Sequence, residues 1–213
     1  EGIAQAEMII KGQDPDNVKL IDSTLSTDPF PNQKVRLILM NPPFGLSYSK
    51  AIVGDEQYGA ILKQNNQNGW YAGGLPGESD SQMLFWEYAL NKLDSNGRAA
   101  IICNASPLFK GEATSGESKI RKWLLGNDYV EAIIQFCPEL FYNTGISIYS
   151  IIFNKNKSQR RKGKIQLINA SKIFTRMNKG LGYKRNRISE DPKNNQIAQI
   201  VKLYSDFDKA DPE

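Results

Sequence analysis

The sequence predicts an α/β fold, doubly wound about a mostly parallel sheet with an antiparallel strand at one edge. Continuous apolar runs such as "VRLILM" (35–40) and "RAAIICN" (98–104) read as strands buried on both faces, as a parallel sheet covered by helices requires. Helical patterns alternate with these runs, and strands separated by helices cross over in the same sense. Two further strands, 129–136 and 146–154, are joined by the short link "CPELFYNTG" with no helix between them, so that pair runs antiparallel at an edge.

Each element has its own justification. Residues 3–11 ("IAQAEMIIK") read as the end of a helix closed by Gly12, and "VKLID" (18–22) as a short strand ending in the acid Asp22. After the strand at 35–40, residues 45–78 are rich in Gly, Asn, Gln and Ser and weak in periodicity. They are expected to form a long loop, functional or mobile, with Trp70 and Tyr71 ordering it over a substrate or partner. Ser79 or Asp80 can cap a helix that carries Met83, Trp86, Leu90 and Leu93 on one face and ends at Asn96-Gly97. "ESKIRKWLLG" (117–126) is a second amphipathic helix, stopped by Gly126; Trp86 and Trp123 lie on helix faces and are expected in the core. A basic turn, "KNKSQRRKGK", precedes a strand at 165–170, and a Gly/Lys/Arg-rich loop leads to a helix at 194–207. The expected division is 1–170 for the sheet and its helices, and 171–213 for the basic loop and last helix.

Composition narrows the chemistry. At ~150 residues per domain, 213 residues fit one domain with a small appendage. A net charge of +4 and a pI near 8.9 suit a nucleic-acid partner without demonstrating one. There is no histidine, which excludes Ser-His and Cys-His nucleophile schemes. Cys103 and Cys137 sit in apolar runs and read as a buried, reduced pair of a cytosolic protein. The carboxylates are scattered, so no metal site is expected. No signal peptide is evident, and no apolar run approaches the ~20 residues of a membrane helix. The chain starts at Glu1 within a helical pattern and reads as a fragment of something longer.

The stretch with the clearest chemistry is "NPPF", Asn41-Pro42-Pro43-Phe44, at the mouth of the strand 35–40. The Asn41 side-chain carbonyl and the Pro42 main-chain carbonyl are acceptors, and neither proline carries an N–H to compete. Two convergent acceptors suit an exocyclic NH₂ group, and taking both hydrogens concentrates the nitrogen lone pair. Phe44 offers a face for a heterocycle to stack on, worth ~1–3 kcal/mol per base. The bland alternative is a strand-ending turn with Phe44 folded into the core.

Two basic groups are candidates for a DNA backbone. Lys155, Lys157, Arg160, Arg161, Lys162 and Lys164 occupy the turn before the strand at 165–170, where a solvated hairpin tip is the favoured reading. Arg176, Lys179, Lys184, Arg185 and Arg187, with Tyr183 among them, make phosphate contact more credible in the tail loop.

Asn-Pro-Pro-Phe closing a buried strand resembles the motif of S-adenosylmethionine-dependent amino-methyltransferases. The run from "GRAAIICNASPLFKG" through "LFYNTGISIYSIIFNKNK" to "RKGKIQLINAS" is similar to modification (M) subunits of type I restriction-modification systems, over roughly residues 1–205. The resemblance implies the Rossmann-like methyltransferase fold, here truncated at its N-terminus, and adenine-N6 methylation of DNA with S-adenosyl-L-methionine. It implies that Asn41 and Pro42 accept from the adenine amine, that Phe44 stacks on the flipped base, and that Phe141 or Tyr142 covers its other face. Pro43 completes the catalytic motif, and Asp22, with Asn41, is assigned to the cofactor. A specificity subunit is the implied partner, with a restriction subunit as a further one, in the cytoplasm of a bacterial or archaeal cell. The family's glycine-rich cofactor loop and the acid after its second strand are absent: "GGLPG" (73–77) follows no strand and "GLG" (180–182) lies in the tail. The fragment is therefore expected to be inactive alone. The rival readings are an RNA or protein-glutamine amino-methyltransferase and a non-catalytic scaffold that binds DNA or a partner.

Overall fold

The computed structural model describes residues 2–66 and 69–209, so Glu1, residues 67–68 of the expected long loop and residues 210–213 of the tail lie outside the described residues. Five strands form one sheet in the order β1-β2-β4-β3-β5, with β1 at Val35–Met40, β2 at Leu93–Cys103, β3 at Val130–Gln135, β4 at Tyr149–Asn154 and β5 at Gln166–Asn169. β1 pairs parallel with β2, and β3 with β5, whereas β4 runs antiparallel to both β2 and β3. Four strands thus share one direction, and the fold is the expected α/β type with a mostly parallel sheet.

The antiparallel strand is not at an edge. The crossover from β2 to β3 passes through helix α5 (Gly116–Gly126) and leaves a slot one strand wide. The short link after β3 returns the chain into that slot, so β4 receives hydrogen bonds from both sides. Its residues are correspondingly buried: Ile151 is 2% exposed and Phe153 is fully buried.

The segment expected to be a loop builds a second layer instead. It contains α2 (Lys50–Asn66), interrupted at Gly54, where φ is 81°. Its polar, glycine-containing sequence hides the helical period, and only Ile61 of this helix is buried. Ile61, Tyr48, Tyr71 and Leu25 pack on Leu84 and Phe85 of α3 (Gln82–Lys92), with Trp70 and Tyr58 at the margin. Trp70 and Tyr71 therefore order this segment by packing within the layer. The Trp70 ring lies 5.4 Å from that of Tyr88.

α3 is buried all round and not on one face. Its Met83, Trp86, Ala89 and Leu90 face the sheet, packing with Ile101, Phe153 and, from α5, Ile120 and Leu124. Trp86 meets Phe153 at 5.8 Å between ring centroids, as expected for a core tryptophan, and truncation to Ala at such a site costs ~3–5 kcal/mol. The helix starts where the Asp80 carboxylate accepts from the Gln82 amide and stops at Lys92, where β2 begins at once. Asn96-Gly97 lies inside β2, at the shift in register against β1. A Cβ on Gly97 would stand 2.9 Å from the Leu93 side chain and 3.1 Å from the Val35 carbonyl, so the close approach needs glycine.

Further corrections concern the ends of the chain. Residues 18–22 form no strand, because no neighbouring strand accepts their backbone, and Leu20 is exposed. α1 (Gly2–Ile10) buries none of its residues. α5 ends at Gly126 as expected, and Asp128, at φ 56°, reverses the chain. A four-residue helix, α4 (Ser106–Phe109), follows β2. The tail loop contains a hairpin of β6 (Thr175–Leu181) and β7 (Lys184–Arg187) before α6 (Gln196–Ser205), which packs Ile200 on Ile134, Ile168 and Ala170.

The buried ions Lys92, Glu131 and Lys157 are paired with opposite charges. Glu131, near the start of β3, takes Arg98 at 2.7 Å and the side chains of Asn154 and Tyr204, joining β2, β3, β4 and α6. Glu87 has no such partner among the described residues. Its Oε2 accepts from the Gly73 amide at 2.6 Å, and its Oε1 is buried with no partner among the described residues. Burial pushes this carboxyl up to about 8, against the opposing hydrogen bond from Gly73. Its value in the folded chain lies above its ordinary value of ~4.3, so folding favours the protonated form. That contribution is complete below the ordinary value and is lost as pH rises through about 8. Denaturant unfolding should therefore show stability falling by about 1–4 kcal/mol between about pH 5 and pH 8. Glu87→Gln, which is neutral and still accepts from Gly73, should flatten the profile. Parallel profiles for the two proteins would contradict this account.

Candidate active site

All four co-directed strands end at one edge of the sheet, and ligands of open α/β sheets bind at that edge. β1 leaves its ladder with β2 at Met40, opposite Ile101, so Asn41 is the first residue beyond the paired strand. Asn41 is exposed, Pro42 is buried, Pro43 is exposed and Phe44 is half-buried. Phe44 belongs to none of the core clusters. Among the described residues, neither the Asn41 side chain nor the Pro42 carbonyl has a hydrogen-bond partner. Gly45, at φ 64°, then turns the chain in a conformation that glycine adopts without strain.

The turn is braced from behind. The Tyr48 amide donates to the Glu78 carbonyl and the Ser81 amide to the Leu46 carbonyl, each at 2.9 Å. The Tyr48 hydroxyl donates to the Pro76 carbonyl at 2.6 Å, and burial raises its pKa well above the usual phenol range. Gly77 donates to Glu117 Oε1 at 3.0 Å. Burial pushes the Glu117 carboxyl up, but amide donors and Ser115 outweigh it and hold the group below its ordinary value. Beside this brace, Asn104 follows β2. Its Oδ1 accepts from the Ser106 amide at 2.9 Å, its own amide donates to Gln82 Oε1 at 3.2 Å, and Gln82 donates to Asp80. Asp80, Gln82, Asn104 and Glu117 were not legible as a unit, because their contacts span separate elements. Asn104 alone carried a signal, as a polar residue closing a strand.

The link from β3 to β4 opens on the same edge. In it Phe141 bridges to Thr144, Phe141 is half-buried, and Tyr142 is 58% exposed. The Lys184 ammonium sits 4.6 Å from the centroid of the Tyr142 ring. The topology thus brings 41–44 and 141–142 to one edge. Asp22 is exposed at a bend, with no strand before it.

The two basic groups part company. The turn at 155–164 follows β4, so it lies at the opposite edge, and it is not a hairpin tip, because β5 pairs with β3. Most of its cations are used internally. Lys155 donates to the Leu90 and Leu93 carbonyls, and burial lowers its pKa. Lys157 is buried 2.6 Å from Asp128, and Arg160 pairs with Asp208. Arg161 stacks between Tyr204 and Phe207, at 4.3 and 4.4 Å. In the tail, Arg176 pairs with Glu139 at 2.6 Å and Arg185 donates to the Gly182 carbonyl. Lys179 and Arg187 are exposed, with no ion pair among the described residues. "GGLPG" braces α3 through Gly73, and "GLG" ends β6 and enters the turn of the β6–β7 hairpin at Gly182, so neither opens a helix after a strand. Among the described residues no acidic or cysteine cluster is placed to hold a metal ion, and no helix is long and apolar enough to cross a membrane. Cys103 and Cys137 are buried and unbridged.

The chain is similar to known proteins along almost its whole length. The family described as N-6 DNA Methylase matches residues 2–212. The type I restriction enzyme MjaVII methylase subunit of Methanocaldococcus jannaschii is 28% identical over 212 residues, covering 97% of this chain and 33% of its own length. The MpnII methylase subunit of Mycoplasma pneumoniae is also 28% identical, with 95% and 35% covered. Among solved structures, the type I restriction-modification methyltransferase subunit from Streptococcus thermophilus superposes with a TM-score of 0.71 at 25% identity, covering 93% of this chain and 38% of its own. The EcoKI M protein, at 17% identity and a TM-score of 0.55, shares the fold. The chain spans about a third of the length of the curated relatives it matches. On the near-complete match, the chain belongs to the N-6 DNA methylase family.

Proposed function

We propose that the parent protein transfers a methyl group from S-adenosylmethionine to the N6 amine of adenine in DNA, as the modification subunit of a type I restriction-modification system. A specificity subunit would read the target sequence, and a restriction subunit would be a further partner, in the cytoplasm of a bacterial or archaeal cell. The observation that carries this reading is the pair of acceptors at Asn41 and Pro42, without hydrogen-bond partners among the described residues and standing at the carboxyl edge of the sheet.

In this reading Asn41 Oδ1 and the Pro42 carbonyl each take one hydrogen of the adenine amine. The amine loses conjugation with the ring, and its lone pair turns toward the methyl donor. Pro43 stiffens the turn so that the two acceptors keep their separation. Phe44 stacks on one face of the extruded base, and Phe141 or Tyr142 on the other. Held in this way, the amine would attack the donor's methyl group, the N–C bond forming as the S–C bond breaks, and the methylated amine would release its proton to solvent. No histidine is needed, and positioning supplies much of the rate.

S-adenosylmethionine supplies an electrophilic methyl group on sulfur. The described residues fit it on the side that faces the amine, at the end of β1, where Asn41 stands. Asp22, assigned to its adenosine end, lacks an element to fix it, and among the described residues no glycine-rich loop leads from a strand into a helix. The remaining contacts to the cofactor are assigned to other segments of the parent.

Two variants of the full-length protein, assembled with its partners, test the roles. In single-turnover transfer to duplex DNA, Asn41→Ala should slow the reaction by on the order of 10²–10³-fold with DNA affinity changed only a few-fold. An unchanged rate would remove Asn41 from the chemistry. Phe44→Ala should weaken capture of the base by about 1–3 kcal/mol, read as a reduced 2-aminopurine signal at the target position, and Phe44→Trp should retain it. Equal signals in all three proteins would contradict stacking.

A further inference from the structure

The β6–β7 hairpin is fastened to the β3–β4 link and shares no ladder with the sheet. Its Tyr183 amide donates to the Tyr142 carbonyl at 2.9 Å. The Arg185 and Asn186 amides both donate to the Glu139 carbonyl, at 2.9 and 3.1 Å. The Asn186 side chain donates to the Pro138 carbonyl at 2.8 Å, and Asn186 is buried. Arg176 closes the set with its ion pair to the Glu139 carboxylate at 2.6 Å. Glu139 sits at φ 56°, a conformation that a residue with a long side chain adopts only when its surroundings impose it. The hairpin imposes it here through the carbonyl, the carboxylate and the flanking residues.

The hairpin also carries charge of one sign. The segment 175–187 holds five basic residues and no acid, and among the described residues its ion pair is with Glu139. Lys179 and Arg187 are free of ion pairs among the described residues, and Lys184 lies over the Tyr142 ring. A base stacked on that face of Tyr142 would have to displace Lys184, and a nearby phosphate is the anion that would receive it.

We propose that the β6–β7 hairpin is the positioning element of the aromatic link, latched through Glu139, and that DNA phosphates held by Lys179, Lys184 and Arg187 fix the backbone and the placement of Phe141 and Tyr142 in one step. This rests on the DNA reading given above. Glu139 and Arg176 are positioning residues in this scheme and touch no reacting atom.

The test uses the full-length protein with its partners and three variants: Arg176→Glu, the swapped pair Glu139→Arg with Arg176→Glu, and Lys179→Ala with Arg187→Ala. Hydrogen exchange at the amides of Tyr183, Arg185 and Asn186 reads the latch directly, because these amides make it. Arg176→Glu should speed that exchange and lower kcat by on the order of 10-fold at saturating DNA, with KM for S-adenosylmethionine unchanged. The swapped pair should recover both. Lys179→Ala with Arg187→Ala should leave exchange alone and lower the slope of log affinity against log salt by about 2. The proposal is overturned if exchange and kcat do not move together in Arg176→Glu, if the swap restores neither, or if the salt slope is unchanged. A wild-type protein that methylates no DNA while its three amides remain protected would overturn the proposed function and leave the latch standing.

Discussion

The ladder from Leu37 opposite Arg98 to Met40 opposite Ile101 holds β1 parallel to β2, and Asn41 is the first residue past its end. A parallel pair aligns the carboxyl ends of strands that are distant in sequence, and that alignment places the NPPF turn beside Asn104 and on the same edge as Tyr142. β4 makes the alignment rigid. By filling the slot between β2 and β3 it bonds on both sides, so the β1–β2 half and the β3–β5 half move as one sheet. The acceptors at Asn41 and Pro42 are thereby held in place by strands that take no part in the chemistry.

Around this ladder the polar groups divide by task. At the amino edge, Glu131 is satisfied within the chain by Arg98, Asn154 and Tyr204, and Lys157 by Asp128. Removing one partner from such a group strands a buried charge, which typically costs ~3–5 kcal/mol. Those at the carboxyl edge, Asn41 and the Pro42 carbonyl, are left open. Groups left open at that edge are the ones available to a ligand.

Much of this was legible in the sequence where one local rule sufficed. The apolar runs at 35–40, 98–104, 129–136 and 165–170 are strands, but the expectation of burial on both faces fails for β1, which is a sheet edge with Leu37 and Leu39 exposed, and for β5 at the other edge, where Leu167 is exposed. NPPF announced itself because prolines and an exposed aromatic are poor material for an ordinary turn. The misses share a cause, which is dependence on partners distant in sequence. "VKLID" has strand composition but no neighbour to pair with, and α2 exists because Ile61 docks on Leu84 and Phe85, which its own weak periodicity does not reveal. The place of β4 is set by the gap left in the crossover through α5, a property of the assembled sheet. The basic turn at 155–164 looked available for phosphate and is largely consumed by α6 and β5; its charges were visible, but Tyr204, Asp208 and Asp128 as their partners were not.

The central claim is that the NPPF turn accepts the amine of an extruded adenine. It is tested most directly by incubating the full-length protein, with its partners, S-adenosylmethionine and unmethylated duplex DNA, then digesting the product to nucleosides for mass spectrometry. The account predicts N6-methyladenine as the modified base. N4-methylcytosine in its place, or DNA that remains unmethylated while RNA or a protein amide accepts the methyl group, would contradict it.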